Sequence, residues 1–129
     1  ILWTCVAEDK DAFYVGQYSL FDTDPNLHHL NMIAKNDSIN QSFFPNEDYQ
    51  TLLWFSNGYL AAFPNDTATI LSDVRFGGMT DTINGPEDLV FNFTVTEKDG
   101  VLSFTESREP PRGEIGDMFV KFIRRIKGY

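Results

Sequence analysis

The sequence predicts an α+β fold: one curved, mostly antiparallel sheet of about six to seven strands with two main helices packed against it. Three observations lead there. Segments of alternating polarity come in consecutive pairs joined by short polar turns, which makes neighbouring strands antiparallel. Two other segments carry apolar residues at helical spacing. Twelve Phe in 129 residues, with 42% hydrophobic and 15% aromatic content, supply large side chains to fill the space between layers. A chain of this length buries about two thirds of its unfolded surface, so a single domain over residues 1–129 needs no covalent staple.

Leu2 to Ala7 reads as a strand, Glu8-Asp9-Lys10-Asp11 as a charged turn and Phe13 to Phe21 as the partner strand. Val6 is expected opposite Phe13 and Thr4 opposite Val15, with Cys5 and Tyr14 on the other side. Both faces are apolar, as in a strand pair covered twice. Asp22 to Asn26 is a loop, because Pro25 removes a donor and restricts Asp24. His28 to Lys35 is the third strand, with His28, Leu30, Met32 and Ala34 on one side, and Asn36-Asp37-Ser38 breaks it. Ile39 to Phe44 fits one helical turn or an irregular stretch.

Asn46 starts a helix over 47–57, capping free N–H groups ahead of the acids Glu47 and Asp48. Tyr49, Leu52, Leu53 and Ser56 share its inner face, and Asn57-Gly58 stops it. From Tyr59 the period is two, and Pro64-Asn65-Asp66-Thr67 is a turn. With Asn65-Asp66 as a two-residue loop, Leu60 faces Leu71, Ala61 faces Ile70 and Tyr59 faces Ser72. Tyr59, Ala61, Phe63, Ile70, Val74 and Phe76 then form the core side, with Leu60, Leu71, Asp73 and Arg75 opposite.

The polar stretch from Gly77-Gly78 to Pro86 is expected to be a mobile loop, a lid or a partner surface. Leu89 to Thr96 and Val101 to Ser107 form a hairpin around Asp99-Gly100. Val95 faces Phe104 and Phe93 faces Glu106 on its apolar side, while Thr94/Thr105 and Thr96/Ser103 make a hydroxyl-rich solvent face. After the breaker Glu109 to Gly113, the last helix sets Ile115, Phe119, Phe122, Ile123 and Ile126 against Lys121, Arg124, Arg125 and Lys127.

Ten basic against nineteen acidic residues give a net charge of −9, which argues against a nucleic-acid binder and against broad adsorption to anionic lipid. Cys5 stands alone, so no internal disulfide forms. No apolar run reaches the ~20 residues that span a bilayer, and no signal peptide is visible. The start at Ile1, already inside a strand-like run, leads to the expectation that this is a piece of a longer protein.

His28 and His29 are neighbours on a strand and point apart, so they do not chelate one ion together. No metal-ligand motif and no nucleophile elbow is present, and no catalytic residue is assigned. The candidate ligand-binding residues are Asp73 and Arg75, two apart on one strand face, and Trp54 and Tyr59. Arg75 oriented by Asp73 contacts an anion, or the two form an ordinary ion pair. Trp54, Phe55, Tyr59 and Phe76 line a pocket or pack as core. A self-sufficient enzyme would need His28 or His29 within hydrogen-bond reach of Asp73.

Trp54-Phe55-Ser56-Asn57-Gly58-Tyr59 followed by Ser72-Asp73-Val74-Arg75-Phe76-Gly77 resembles the soluble C-terminal part of the YdjM/YbcI-like (LexA-binding) family of inner-membrane-associated, metal-dependent hydrolases. Val15 to Asp22 and Phe91-Asn92-Phe93 with the following hairpin look similar to it too. The resemblance implies an N-terminal membrane part whose His and Asp side chains hold a divalent metal; those motifs are absent here, so no cofactor is expected on this piece. It further implies a non-catalytic accessory, regulatory or docking domain facing the cytoplasm at the inner membrane. Its partner would be its own membrane region, another protein or a second copy. A stand-alone small-ligand module with an aromatic pocket is the alternative.

Overall fold

The computed structural model describes residues 2–27, 29–78 and 80–107. All seven expected strands are present: β1 (Leu2–Glu8), β2 (Ala12–Ser19), β3 (Asn31–Ala34), β4 (Leu60–Pro64), β5 (Thr69–Gly78), β6 (Leu89–Lys98) and β7 (Val101–Ser107). Helices α1 (Asp37–Ser42) and α2 (Glu47–Phe55) lie between β3 and β4. The expected last helix, Ile115 to Lys127, falls outside the described residues, as does His28.

The fold is α+β and every pairing is antiparallel. The strands divide into two open sheets, β1-β2-β3 and β4-β5-β6-β7. Phe13, Val15 and Ile33 of the first sheet meet Ala61, Val74 and Leu89 in one core cluster. The far face of the second sheet, with Leu60, Ala62, Leu71 and Val95, meets Tyr49 and Leu52 of α2 in another. The order of layers is therefore sheet, sheet, helices. This corrects the assignment of a single core side to β4 and β5. Leu60 and Leu71, expected opposite the core, are 3% and 0% exposed because both faces of the second sheet are covered.

Two registers also differ from expectation. Val6 pairs with Val15 rather than Phe13, and Thr4 with Gln17 rather than Val15. Leu60 pairs with Asp73 rather than Leu71, and Ala61 with Ser72 rather than Ile70. Both loops sit one residue later than expected, and one cause explains both. The Asp9 carboxylate accepts from the Asp11 and Ala12 N–H groups, and the Asn65 side chain accepts from those of Thr67 and Ala68. Each Asx residue thus closes its loop from outside, as the last paired residue. A slip of two preserves the faces. The third hairpin has the expected register, since Asp99 (φ 53°) and Gly100 (φ 76°) both take the left-handed conformation that a primed turn requires.

Asn46 caps α2 by accepting from the Tyr49 N–H at 3.1 Å. The helix ends through Asn57 and Gly58, both at positive φ. The segment after Gly78 is tied down rather than free: Asn31 donates to the Asp81 carbonyl at 2.6 Å and accepts from the Ile83 N–H at 3.0 Å, and Ile83 packs on the inter-sheet core. Among the described residues no helix is long and apolar enough to cross a membrane.

Candidate functional site

The two sequence stretches singled out at 54–59 and 72–77 meet in space, and Arg75 joins them. Pairing of β5 with β6 is interrupted between Asp73 and Gly78. The bulge leaves backbone donors without ladder partners. Asp73, fully buried, answers this with its carboxylate, which accepts from the Arg75 N–H at 3.1 Å. The same carboxylate takes the Arg75 fork, Nε at 3.0 Å and Nη2 at 2.7 Å. Nη2 also donates to the Phe55 carbonyl at 2.8 Å, satisfying an open C=O at the end of α2. The guanidinium lies 5.8 Å from the Phe55 ring and 5.4 Å from the Phe76 ring. The Asp73 carboxylate beside it pushes the Arg75 guanidinium further above the usual arginine range.

The pair therefore points the same way, as expected, but it closes on itself. The fork is committed to Asp73 and to a helix carbonyl, and Asp73 spends its oxygens on Arg75. This arrangement ties the strand to the helix. It offers no general base, because a base needs an oxygen directed at substrate. The exposed His29 lies beside Gly16 of the first sheet. Asp73 points to the helix side of the second sheet, so these two are not brought together. Among the described residues no group of three metal-ligating side chains occurs.

The aromatic candidates separate. Tyr59 leaves the site: it packs in the inter-sheet core, its ring 5.8 Å from that of Phe13. Trp54 stays, 81% exposed on the outer side of α2. With Phe55, Thr51 and Asp48 it forms one wall of a groove of about 580 Å³. The floor is the apolar face of the β6–β7 hairpin, with Phe91, Phe93 and Phe104, and Glu106 completes the lining. Phe76 packs against Phe91, with ring centroids 4.7 Å apart and planes tilted by 49°.

Of the three floor rings, Phe93 and Phe104 were placed by sequence reasoning on an apolar strand face without being assigned to a site, and Phe91 entered only through the family resemblance. The signal was the alternation along β6 and β7, which sets Phe91, Phe93 and Phe104 on the one face of the hairpin that lines the groove.

No family model, curated protein or solved structure matches this chain.

Proposed function

We propose that this chain is a non-catalytic binding domain whose recognition surface is the aromatic groove between α2 and the β6–β7 hairpin. The observation that carries the reading is the lining itself: Trp54, Phe55, Phe91, Phe93 and Phe104 around an open space, with Asp48 and Glu106 as the charged members. The complementary ligand is an amphipathic helical segment with apolar anchors three and four residues apart and basic flanks, laid along α2. A small enclosed ligand suits the volume, which falls within the usual range of about 300–1,000 Å³. The exposed wall at Trp54 favours the segment, because small-ligand sites enclose most of their ligand.

The resemblance to membrane-associated, metal-dependent hydrolases agrees with such a role. In that setting the chain is the accessory, docking or regulatory domain, and any divalent metal and hydrolytic chemistry belong to the membrane part. The closed Asp73–Arg75 pair supports the non-catalytic side of this reading.

An amphipathic, lysine-flanked peptide titrated to millimolar concentration tests the proposal by NMR. The expected result is a shift of the Trp54 indole and of the amides of Thr51, Phe93 and Phe104. Trp54→Ala should weaken binding at least tenfold while leaving stability nearly unchanged, since the ring is outside the core and central to the groove. Shifts confined to other surfaces would overturn the assignment.

A further inference from the structure

We infer that the free edge of β1 is a second binding surface, which takes an extended strand from a partner protein. That strand pairs antiparallel with β1, is uncharged over about six residues and carries a basic residue at its N-terminal end. The inference does not depend on the groove. Two backbone bonds fix the parity of the first sheet: the Asp9 N–H donates to the Ala12 carbonyl and the Lys35 N–H to the Asp11 carbonyl, both at 3.0 Å. With the register of β1 against β2, Trp3, Cys5 and Ala7 turn their backbone groups toward β2, whereas Leu2, Thr4, Val6 and Glu8 turn theirs outward. Among the described residues, no hydrogen bond reaches those outward groups. Trp3, Thr4, Ala7 and Glu8 are all exposed although they alternate between the two faces, as on an edge open to solvent.

Sheet edges are ordinarily blunted by charge, proline, shortness or a covering element. The other edges of this fold are treated in that way. β3 has only four residues. β4 ends in Pro64, meets α1, and spends its Ala62 N–H on the Lys35 carbonyl. β7 carries the charged Glu106. β1 has seven residues in unbroken register, with no proline or glycine and no charge from Leu2 to Ala7. Its outward donors and acceptors alternate along the strand, and extended backbone meets that pattern where a helix cannot. Side chains of the added strand on the outer face lie beside Cys5, Ala7 and Trp3, which is 56% exposed, so apolar and β-branched residues suit them. At the hairpin end Glu8, Asp9 and Asp11 outnumber Lys10 and Lys35, and an antiparallel strand brings its N-terminal end there. A second copy of the chain fits less well, because it carries the same net charge of −9 and its β1 holds no basic residue.

The test adds the acetylated and amidated peptide Lys-Thr-Val-Thr-Val-Thr-Ser to the full chain and reads backbone amides by NMR. One added strand makes less than a standard interface, so a Kd on the order of 100 μM is expected, and about 1 mM peptide approaches saturation. Hydrogen exchange at Thr4 and Val6 should then slow about tenfold, while Trp3 and Cys5, already bonded to β2, change less than about twofold. Thr4→Pro removes one outward donor and no bond to β2, so it should weaken binding about fivefold while the Trp3 and Cys5 amides stay protected. A second comparison leaves the protein unchanged: N-methylation of the peptide residues that face β1 should abolish binding, and methylation of the alternate set should alter it less than about threefold. Exchanging the peptide's lysine for glutamate should weaken binding about threefold or more. No binding at that concentration, or equal protection of odd and even residues in β1, would overturn the inference. Shifts confined to Trp54, Phe93 and Phe104 would put the peptide in the groove, overturning this inference and leaving the groove reading intact. Concentration-dependent self-association that protects Thr4 and Val6 without peptide, seen by sedimentation equilibrium, would give the edge to a second copy and overturn the assigned partner.

Discussion

Arg75→Met separates a structural tie from a ligand contact. The substitution keeps the length of the side chain and removes the charge, stranding the Asp73 carboxylate at 0% exposure with the residue-75 N–H as its remaining donor among the bonds described above. Breaking one side of a fully buried pair costs about 3–5 kcal/mol. The Arg75 side chain is 32% exposed, so water takes over part of its role and the cost falls below that range, to about 2 kcal/mol. Loss of the charged hydrogen bond to the Phe55 carbonyl brings the expected total to about 3 kcal/mol. For a domain of this size that corresponds to a fall in Tm of roughly 10 °C. Urea denaturation monitored by far-UV circular dichroism measures it, with an unchanged slope as the sign that two-state behaviour is kept. Asp73→Asn/Arg75→Met removes both charges and leaves an acceptor for the bulge N–H, so it should recover at least about 1 kcal/mol relative to the single variant. A single-variant cost under about 1 kcal/mol, or a double variant no better than the single, would refute the reasoning and return Arg75 to the pool of ligand-binding groups.

The remaining predictions concern backbone, loop and pH. Gly58→Ala meets open space at φ +80° and should cost about 1 kcal/mol from the backbone alone, whereas Gly77→Ala at φ +62° also drives its Cβ to 2.8 Å from Thr4 Cγ2 and should cost more; paired denaturation curves compare them. Asn31→Ala frees the Asp81 carbonyl and the Ile83 N–H, so amide exchange and proteolytic cutting should increase at residues 80–85 ahead of the rest of the molecule. The Asp9 carboxyl is held below its ordinary value of 3.8, first by the Asp11 N–H, then by the Tyr14 hydroxyl and the Ala12 N–H. Its contribution to the first hairpin is therefore full above about pH 3.8 and is lost as pH falls through the lowered value; NMR titration of the Asp11 amide should show this, and Asp9→Asn should abolish it while keeping the register. Tyr49, raised by burial and then by Asp37, works in the opposite direction: its stabilising hydrogen bond to Asn40 persists below pH 10.0 and is lost as the phenol ionises above it, and Tyr49→Phe should cost about 1 kcal/mol in urea.

The elements were legible wherever the cause was local. Asn46 as cap, Asn57-Gly58 as stop and Asp99-Gly100 as a primed turn each act within four residues, and the sequence carries them openly. The first two hairpins were misregistered because an Asx side chain occupies the same neighbourhood whether it lies inside the loop or closes it from the strand. The choice depends on which cross-strand partners bury best. Tyr59 was grouped with Trp54 because both flank the helix stop, yet the chain reverses between them and sends one ring into the inter-sheet core and the other into solvent.

By itself the sequence determined the antiparallel strand pairs, the second helix with its cap and stop, the acidic balance, and the absence of any local catalytic signature, because periodicity, backbone preference and charge act over short stretches of chain. Only the tertiary structure decided that the strands form two sheets with the helices on one outer side, and that Asp73 and Arg75 bind each other and the end of α2. It also decided that three phenylalanines from the last hairpin come to lie beneath Trp54. Those outcomes depend on which surfaces cover which, and hydrophobic burial has no direction of its own until the whole chain has closed around it.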